Sequence, residues 1–336
     1  MDIRSKKKQQ WKRLLRPRWI LAGSAGAVLF WFGLVILWPA VQDPVDFFER
    51  RRSERFTVRV DSTWHEGDLL LQSLTIEGYR NRDGSGHAVI FDAYSCQPQD
   101  NPGPLPAFVL MAGIRTGRDA ITLISRRPEI ADMGVFLTLD YPYQGPKSFK
   151  GLQILPHVPR IRRALFDGVE AARLSIDYLE QQPGVDRERI ILLGGSVGAF
   201  YVVDAGAVDP RPAAVVAFMG GGRFALLLDW NLRHGGHVSS RILSAPLAWF
   251  TALLIRPLEP TRLVEHIAPI PYIQVNATED ERIPAASAQA LFNASQSPRE
   301  LVWIPAVHVL PHRDEVIEQL MTVALRELDE LDLLRP

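Results

Sequence analysis

One cysteine, Cys96, is all the thiol chemistry that 336 residues contain. A single thiol excludes an intrachain disulfide and any cysteine-built metal centre, and by itself it carries no information about compartment. It closes the strand-like run "HAVIFDAYSC", where a part-buried free thiol is the ordinary reading. Net charge is missing too. Lys+Arg and Asp+Glu both number 38, so there is no whole-protein electrostatic reason to expect a nucleic-acid partner. No repeat of fixed period is present. His234-Gly-Gly-His237 has no acidic or thiol companion and reads as loop rather than metal site. No cofactor or metal is therefore expected, and nothing in the sequence sets an oligomeric state. At this length, with 47% hydrophobic residues, the chain can bury a large core as one large domain or two small ones.

The charges are unevenly spread. Residues 1–18, "MDIRSKKKQQWKRLLRPR", hold eight Lys/Arg and one acid, and residues 19–41, "WILAGSAGAVLFWFGLVILWPAV", hold no charge at all. A bilayer core takes about 20 apolar residues in helix. Trp19 and Trp38 fall near the ends of the run, where interfacial aromatics belong. A cleaved signal peptide has a shorter apolar region and a small-x-small exit, whereas this run leaves through Trp38-Pro39-Ala40. The expectation is a basic cytoplasmic tail (1–18), an uncleaved transmembrane anchor (19–41), a charged linker (42–55) and a globular domain (56–336). The basic flank should stay in the cytoplasm and place the domain outside it, in a periplasmic or other extracytoplasmic space. The arginines of "ERRRSER" (49–55) argue against that orientation.

From Phe56 the runs "RFTVRVDS", "LLLQSLTIEGY" and "HAVIFDAYS" alternate as strands do and are separated by turn residues, an antiparallel entry to a sheet. Continuous apolar runs follow, as strands covered on both faces require: "AFVLMAG", "GVFLTLDYP", "RIILLGGS", "AAVVAFMGGG", "PYIQVNATED" and "ELVWIPAV". Helical spacing separates them, at about 119–127, 160–182, 197–208 and 285–294, with a last helix over about 313–331. In the second of these, Leu165, Val169, Ala172, Ile176 and Leu179 share a face. The alternation gives an α/β chain with a mostly parallel central sheet and helices on both faces. Residues 223–268 break it, between the fourth and fifth parallel strands. Three readings stand: a lid or cap over a site at the strand ends, ordinary helices packed on the sheet, or a surface that meets the bilayer.

The chemistry gathers at the strand ends. Gly194-x-Ser196-x-Gly198 lies where a buried strand meets a helix. A sharp turn there forces the serine into a strained conformation with its hydroxyl above the sheet, and the glycines let strand and helix approach where a Cβ would clash. The competing reading is a Ser N-cap in a glycine-rich turn. A nucleophilic serine needs a base, and the base an orienting acid. His308 stands in the loop after the sixth parallel strand and His312 one turn further on; His308 is the better placed. The loop "NATEDERIP" offers Glu279, Asp280 and Glu281, and Asp280 is chosen with Glu279 second. Oxyanion donors would be the backbone N–H groups of Val197, after the nucleophile, and Ile114, in the loop after the first buried strand. Arg115 and Arg118 could meet an anionic group but read first as solvent-facing. The sequons at Asn276 and Asn293 read as chance.

"GIRTGRDA", "LDYPYQG", "RIILLGGSVGAF", "NATEDERIP" and "AVHVLP" together resemble, in order and spacing, an α/β-hydrolase of the dienelactone-hydrolase, acetyl-esterase and prolyl-oligopeptidase-like branch. The resemblance covers roughly 56–331. It implies an α/β-hydrolase fold with the insertion between the family's strands 6 and 7, a Ser196–Asp280–His308 triad, and the Ile114 and Val197 amides as oxyanion hole. It implies hydrolysis of a small-molecule or lipid-like carboxylic ester through an acyl-enzyme. A peptidase or acyltransferase on the same residues is the alternative, as is a catalytically silent, membrane-anchored interaction module. Two positions depart from the pattern. Ala112-Gly113 stands where many members have His-Gly, and Ala277 replaces the glycine common before the acid.

Overall fold

The computed structural model describes Gly33 and residues 37–334, apart from 101–102, 147, 150, 236–237 and 239. The expected basic tail and nearly all of the expected anchor lie outside the described residues. Among the described residues no helix is long and apolar enough to cross a membrane. The chain divides into two compact units, 1–42 and 43–336. In the first, Trp38–Val41 forms one helical turn.

The second unit begins at Asp43, earlier than the charged composition of 42–55 suggests. Helix α1 (Pro44–Glu49) starts with Pro44 in its first turn and Asp43 as N-cap, the Asp43 side chain accepting from the Asp46 N–H. Phe47 and Phe48 are buried and meet Phe166 edge-on. The arginines that follow are also held. Arg51 pairs with Asp167 at 3.0 Å, and Arg52 with Asp177 at 2.7 Å and Asp209 at 3.3 Å. The expected linker is thus a packed part of the domain, corrected by partners more than a hundred residues away.

A nine-stranded sheet carries the unit, in the order β1-β2-β3-β5-β4-β6-β7-β8-β9. β1 (Arg55–Glu66), β2 (Leu69–Tyr79) and β3 (Ala88–Pro98) form an antiparallel meander whose last strand also runs antiparallel to β5. The other six strands are mutually parallel: β4 (Leu105–Met111), β5 (Val135–Leu139), β6 (Val185–Gly195), β7 (Ala214–Phe218), β8 (Tyr272–Ala277) and β9 (Arg299–Ile304). All five residues of β5 and of β7 are buried, the signature of parallel strands sandwiched between helices. Cys96 is fully buried at the end of β3, and burial pushes its thiol up to about 12.

The expected single helix near 119–127 is broken. A 3-10 turn (Gly117–Ala120), α2 (Ile121–Ser125) and α3 (Pro128–Ala131) replace it, because Pro128 cannot continue α2 and opens a new helix instead. α4 (Val158–Leu179) buries Val169, Ala172, Ile176 and Leu179 against one face of the sheet, together with α5 (Val197–Val208). α2, α3 and α9 (Asp314–Glu330) cover the other face. α8 (Ala285–Ala294) links β8 to β9.

The segment 223–268 holds α6 (Phe224–His234), α7 (Arg241–Leu254) and three short 3-10 turns. Its second half is core: Leu263, Val264 and Ile267 are buried on the α4–α5 side. Two Glu259 oxygens, each 2.7 Å from a backbone N–H of Arg223 or Phe224, tie the start of the segment to this half. α7 differs. Ser244 and Ala248 are buried on one side, while Ile242, Leu243, Leu247, Trp249 and Phe250 stand exposed. His234 stacks on Trp230 at 3.7 Å, and His237 is outside the described residues.

Candidate active site

β6 delivers Ser196. Its φ of 57° and ψ of −113° are a conformation L-residues rarely hold. Two glycines make the turn possible. A Cβ on Gly198 would drive into the Met111 carbonyl of β4, and one on Gly194 would meet the Gly198 carbonyl and Val202. Gly195 has open space. The strained residue is anchored by its own N–H, which donates to the Phe218 carbonyl of β7 at 2.9 Å. The Ser196 side chain makes no cap hydrogen bond to α5. It turns instead to His308, with Oγ 2.7 Å from Nε2.

His308 is buried in the loop after β9. Its Nδ1 lies 2.8 Å and 3.0 Å from the two Asp280 carboxylate oxygens. A carboxylate only accepts, so Nδ1 carries the proton and Nε2 is left to accept from the Ser196 hydroxyl. Asp280 leaves the end of β8, where its Oδ1 also accepts the N–H groups of Arg282 and Ile283, each at 2.8 Å. That turn fixes the position of the acid independently of the histidine. Of the alternatives, Glu279 is exposed and His312 is exposed beyond Pro311. The structure brings together Ser196, His308 and Asp280 and leaves those two apart.

Glu281, assigned no role from the sequence, holds the histidine from behind. Its Oε2 accepts the His308 backbone N–H at 3.0 Å, and its Oε1 accepts from Arg313 at 2.9 Å. Arg313 also donates to the His308 carbonyl at 2.6 Å. Burial pushes the Glu281 carboxyl up, but these hydrogen bonds outweigh it and hold the group below the usual carboxylate range. Among three adjacent acids, no sequence signal marked Glu281 for this part. The turn sends Asp280 to the ring and Glu281 to the backbone of one histidine.

The loop after β4 completes the surroundings. Thr116 and Gly117 N–H groups both donate to the Gly113 carbonyl, at 2.9 and 3.0 Å, and the buried Tyr141 hydroxyl donates to the Ala112 carbonyl at 2.5 Å. The tight turn leaves Ile114 at its tip, 61% exposed. Among the described residues the N–H groups of Ile114 and Val197 have no partner. Arg118 does not face solvent as expected. It lies over Tyr94 at 4.6 Å and pairs with Asp92 and Asp140, both at 3.5 Å. Arg115 lines the mouth of the cavity described next. Asn276 is buried and donates to the Gly220 carbonyl at 2.9 Å, a place with no room for a glycan.

Ser196 and His308 open onto a cavity of about 450 Å³. It runs from the mouth into the layer between the sheet and helices α2, α3 and α9. Among the described residues, none of 223–268 lines it, so this segment forms no wall of the cavity. His308, Arg115, Thr116 and Arg282 are grouped with Ser196 as its polar lining residues; the rest are apolar, glycine or proline.

The chain matches no family profile. It is 26% identical over 149 residues to the uncharacterized protein YfhR of Salmonella typhimurium, which is 43% of this chain and 47% of that protein. The match thus spans less than half the length of that curated relative. In fold it is similar to acetyl xylan esterase 1 from Thermoanaerobacterium sp. JW/SL YS485, with TM-score 0.59 and 16% identity over 83% of this chain and 93% of that one. It is also similar to the acetyl xylan esterase from Paenibacillus sp. R4, with TM-score 0.54 and 18% identity over 84% and 92%. A cold-adapted esterase from an Arctic intertidal metagenomic library gives TM-score 0.53 and 14% identity over 80% and 97%. The fold is that of the α/β-hydrolases.

Proposed function

We propose that this chain is a serine hydrolase that cleaves carboxylic esters through an acyl-enzyme, with Ser196 as nucleophile, His308 as general base and Asp280 as its orienting acid. The observation that carries the reading is the hydrogen-bonded series Ser196–His308–Asp280, with the serine on a strained turn at a cavity mouth. The esterases of similar fold support the choice of esters over other acyl compounds.

In this reading His308 Nε2 takes the hydroxyl proton as Ser196 Oγ bonds to the carbonyl carbon. The resulting oxyanion sits against the Ile114 and Val197 N–H groups. Collapse breaks the bond to the alkoxy oxygen, which leaves with the proton held by His308. Water then gives its proton to the same nitrogen, attacks the acyl-enzyme, and releases the acid and free Ser196. Asp280 stabilises the imidazolium formed in each half.

The test is labelling of the whole protein by a fluorophosphonate probe, with turnover of ester and short-peptide panels. Labelling that Ser196→Ala abolishes, with turnover of esters above peptides, is expected. A folded but unlabelled protein would support the silent interaction module; peptides turned over faster than esters would overturn the ester reading.

The apolar run 19–41 is proposed as a single membrane anchor, with the basic tail cytoplasmic and the hydrolase domain on the far side. The exposed apolar face of α7 supports a place at a lipid surface. Resistance of the domain to protease in spheroplasts would overturn the orientation.

A further inference from the structure

The cavity at Ser196 is far larger and drier than a short acyl group needs. Its inner part lies within the apolar layer between the sheet and α9 and is walled by side chains such as Phe108, Ile124, Phe136, Leu320 and Leu328. Its polar lining residues are Ser196, His308, Arg115, Thr116 and Arg282. Ordered water needs two to four polar partners, and these apolar walls offer none. Leu110, Leu193, Met321 and Leu325 point the same way. They belong to mid-strand or mid-helix positions in this layer, yet remain only partly buried, because each borders the cavity rather than close-packed neighbours. Protein interiors seldom leave such space, and an unfilled void costs stability. The walls run along α9 from Ile317 to Leu328, roughly 16 Å of helix axis at 1.5 Å per residue.

We propose that this chamber receives the acyl chain of the substrate, and that the chain is a long unbranched hydrocarbon, so that the esters cleaved are fatty-acyl esters. The proposal rests on the esterase reading above and names its substrate class. A cavity of about 450 Å³ leaves room for a long hydrocarbon chain. The acyl side is favoured over the alcohol side because the chamber wall includes Gly113, Ile114 and Val197. The carbonyl oxygen would rest against those amides, which directs the carbon chain inward. The alcohol carries the proton from His308 and leaves by the mouth, where Arg115 and Arg282 stand.

The full chain in lipid nanodiscs would be assayed on p-nitrophenyl acetate, butyrate, octanoate, laurate and palmitate, which share one leaving group. Each added methylene that enters the chamber should raise kcat/KM about threefold to fourfold at most. A laurate-to-acetate ratio of at least tenfold is expected. A rate highest on acetate and falling with every added carbon overturns the proposal. Lauryl acetate and ethyl acetate form the alcohol arm: a preference for lauryl acetate without one for the laurate ester overturns the acyl assignment. Ala324→Phe, on the α9 wall, should lower the laurate-to-acetate ratio at least tenfold. Met321→Trp is the second variant should the first not fold, and an unchanged ratio in a folded variant counts against the chamber. A diazirine-bearing fatty acid, photolysed on Ser196→Ala, separates the two levels of inference. Adducts on the α9 wall that Ala324→Phe removes would uphold the chamber even if the fluorophosphonate failed to label the protein. Labelling of Ser196 without such adducts would leave the esterase reading and overturn this one.

Discussion

Ser196 is held in its strained conformation by contacts that a single methyl group would break. Gly198 sits against the Met111 carbonyl, whereas Gly195 faces open space. Gly198→Ala is expected to cost about 2–4 kcal/mol, and Gly195→Ala less than about 1 kcal/mol, in thermal or denaturant unfolding. Equal effects at the two positions would mean the β4–β6 approach is not what shapes the turn. At His308 the decisive neighbour is Glu281. In Glu281→Gln the His308 N–H loses a charged acceptor and Arg313 loses its ion-pair partner while keeping the His308 carbonyl, so kcat/KM on the preferred ester should fall roughly threefold to tenfold. The pH sign follows from the lowered carboxyl of Glu281. Its stabilising contribution is full above the ordinary carboxylate range and is lost as pH falls through its folded value. The stability gap between wild type and Glu281→Gln should therefore close on acidification, and a gap that widens would overturn the clamp. "ATEDER" let Asp280 be ranked first without excluding Glu279, because adjacent turn residues point in different directions only once φ and ψ are set.

Elements with continuous apolar runs were legible to within a few residues, as with β5 and β7, because burial on both faces writes itself into composition. α1 was not. Its surroundings are dominated by charge, and charge is an ordinary sign of solvent exposure until the partners are known. Those partners, Asp167, Asp177 and Asp209, lie on α4 and just beyond α5. Phe48→Ala should cost about 3–5 kcal/mol as a fully buried aromatic. A fragment beginning at residue 43 should give cooperative unfolding, and one beginning at 56 should lose it or melt far lower. Comparable melting of the two fragments, followed by circular dichroism, would restore the linker.

For the whole molecule, the global stability carries the mark of one buried acid. Asp204 on α5 is fully buried, and neither carboxyl oxygen has a partner among the described residues. Burial, reinforced by the charge of Glu259, pushes its carboxyl well above the ordinary value. The folded chain then keeps a proton that the unfolded chain releases, so raising pH above the ordinary carboxylate range removes stability. Asp204→Asn carries no such proton. Its stability relative to wild type should rise with pH, by about 1.4 kcal/mol per pH unit while Asp204 remains protonated inside. A difference that is flat between pH 5 and pH 8 would show that Asp204 is ionised in the fold.

The sequence alone determined the parallel sheet, its antiparallel entry and the strand end on which each reactive residue stands. These follow from local rules: two-sided burial makes long apolar runs, turns need glycine and proline, and a loop after a strand opens at the strand's carboxyl end. Tertiary structure decided that the acid and the histidine ranked first do meet beside Ser196, that 43–55 packs, and that an apolar chamber lies behind the serine. Meeting depends on the geometry of loops that lie 112 residues apart for Ser196 and His308 and 28 apart for Asp280 and His308. The chamber is space that α9 and the sheet leave unfilled, and Leu320, Ala324 and Leu328 spell ordinary core whether or not another atom lies opposite them.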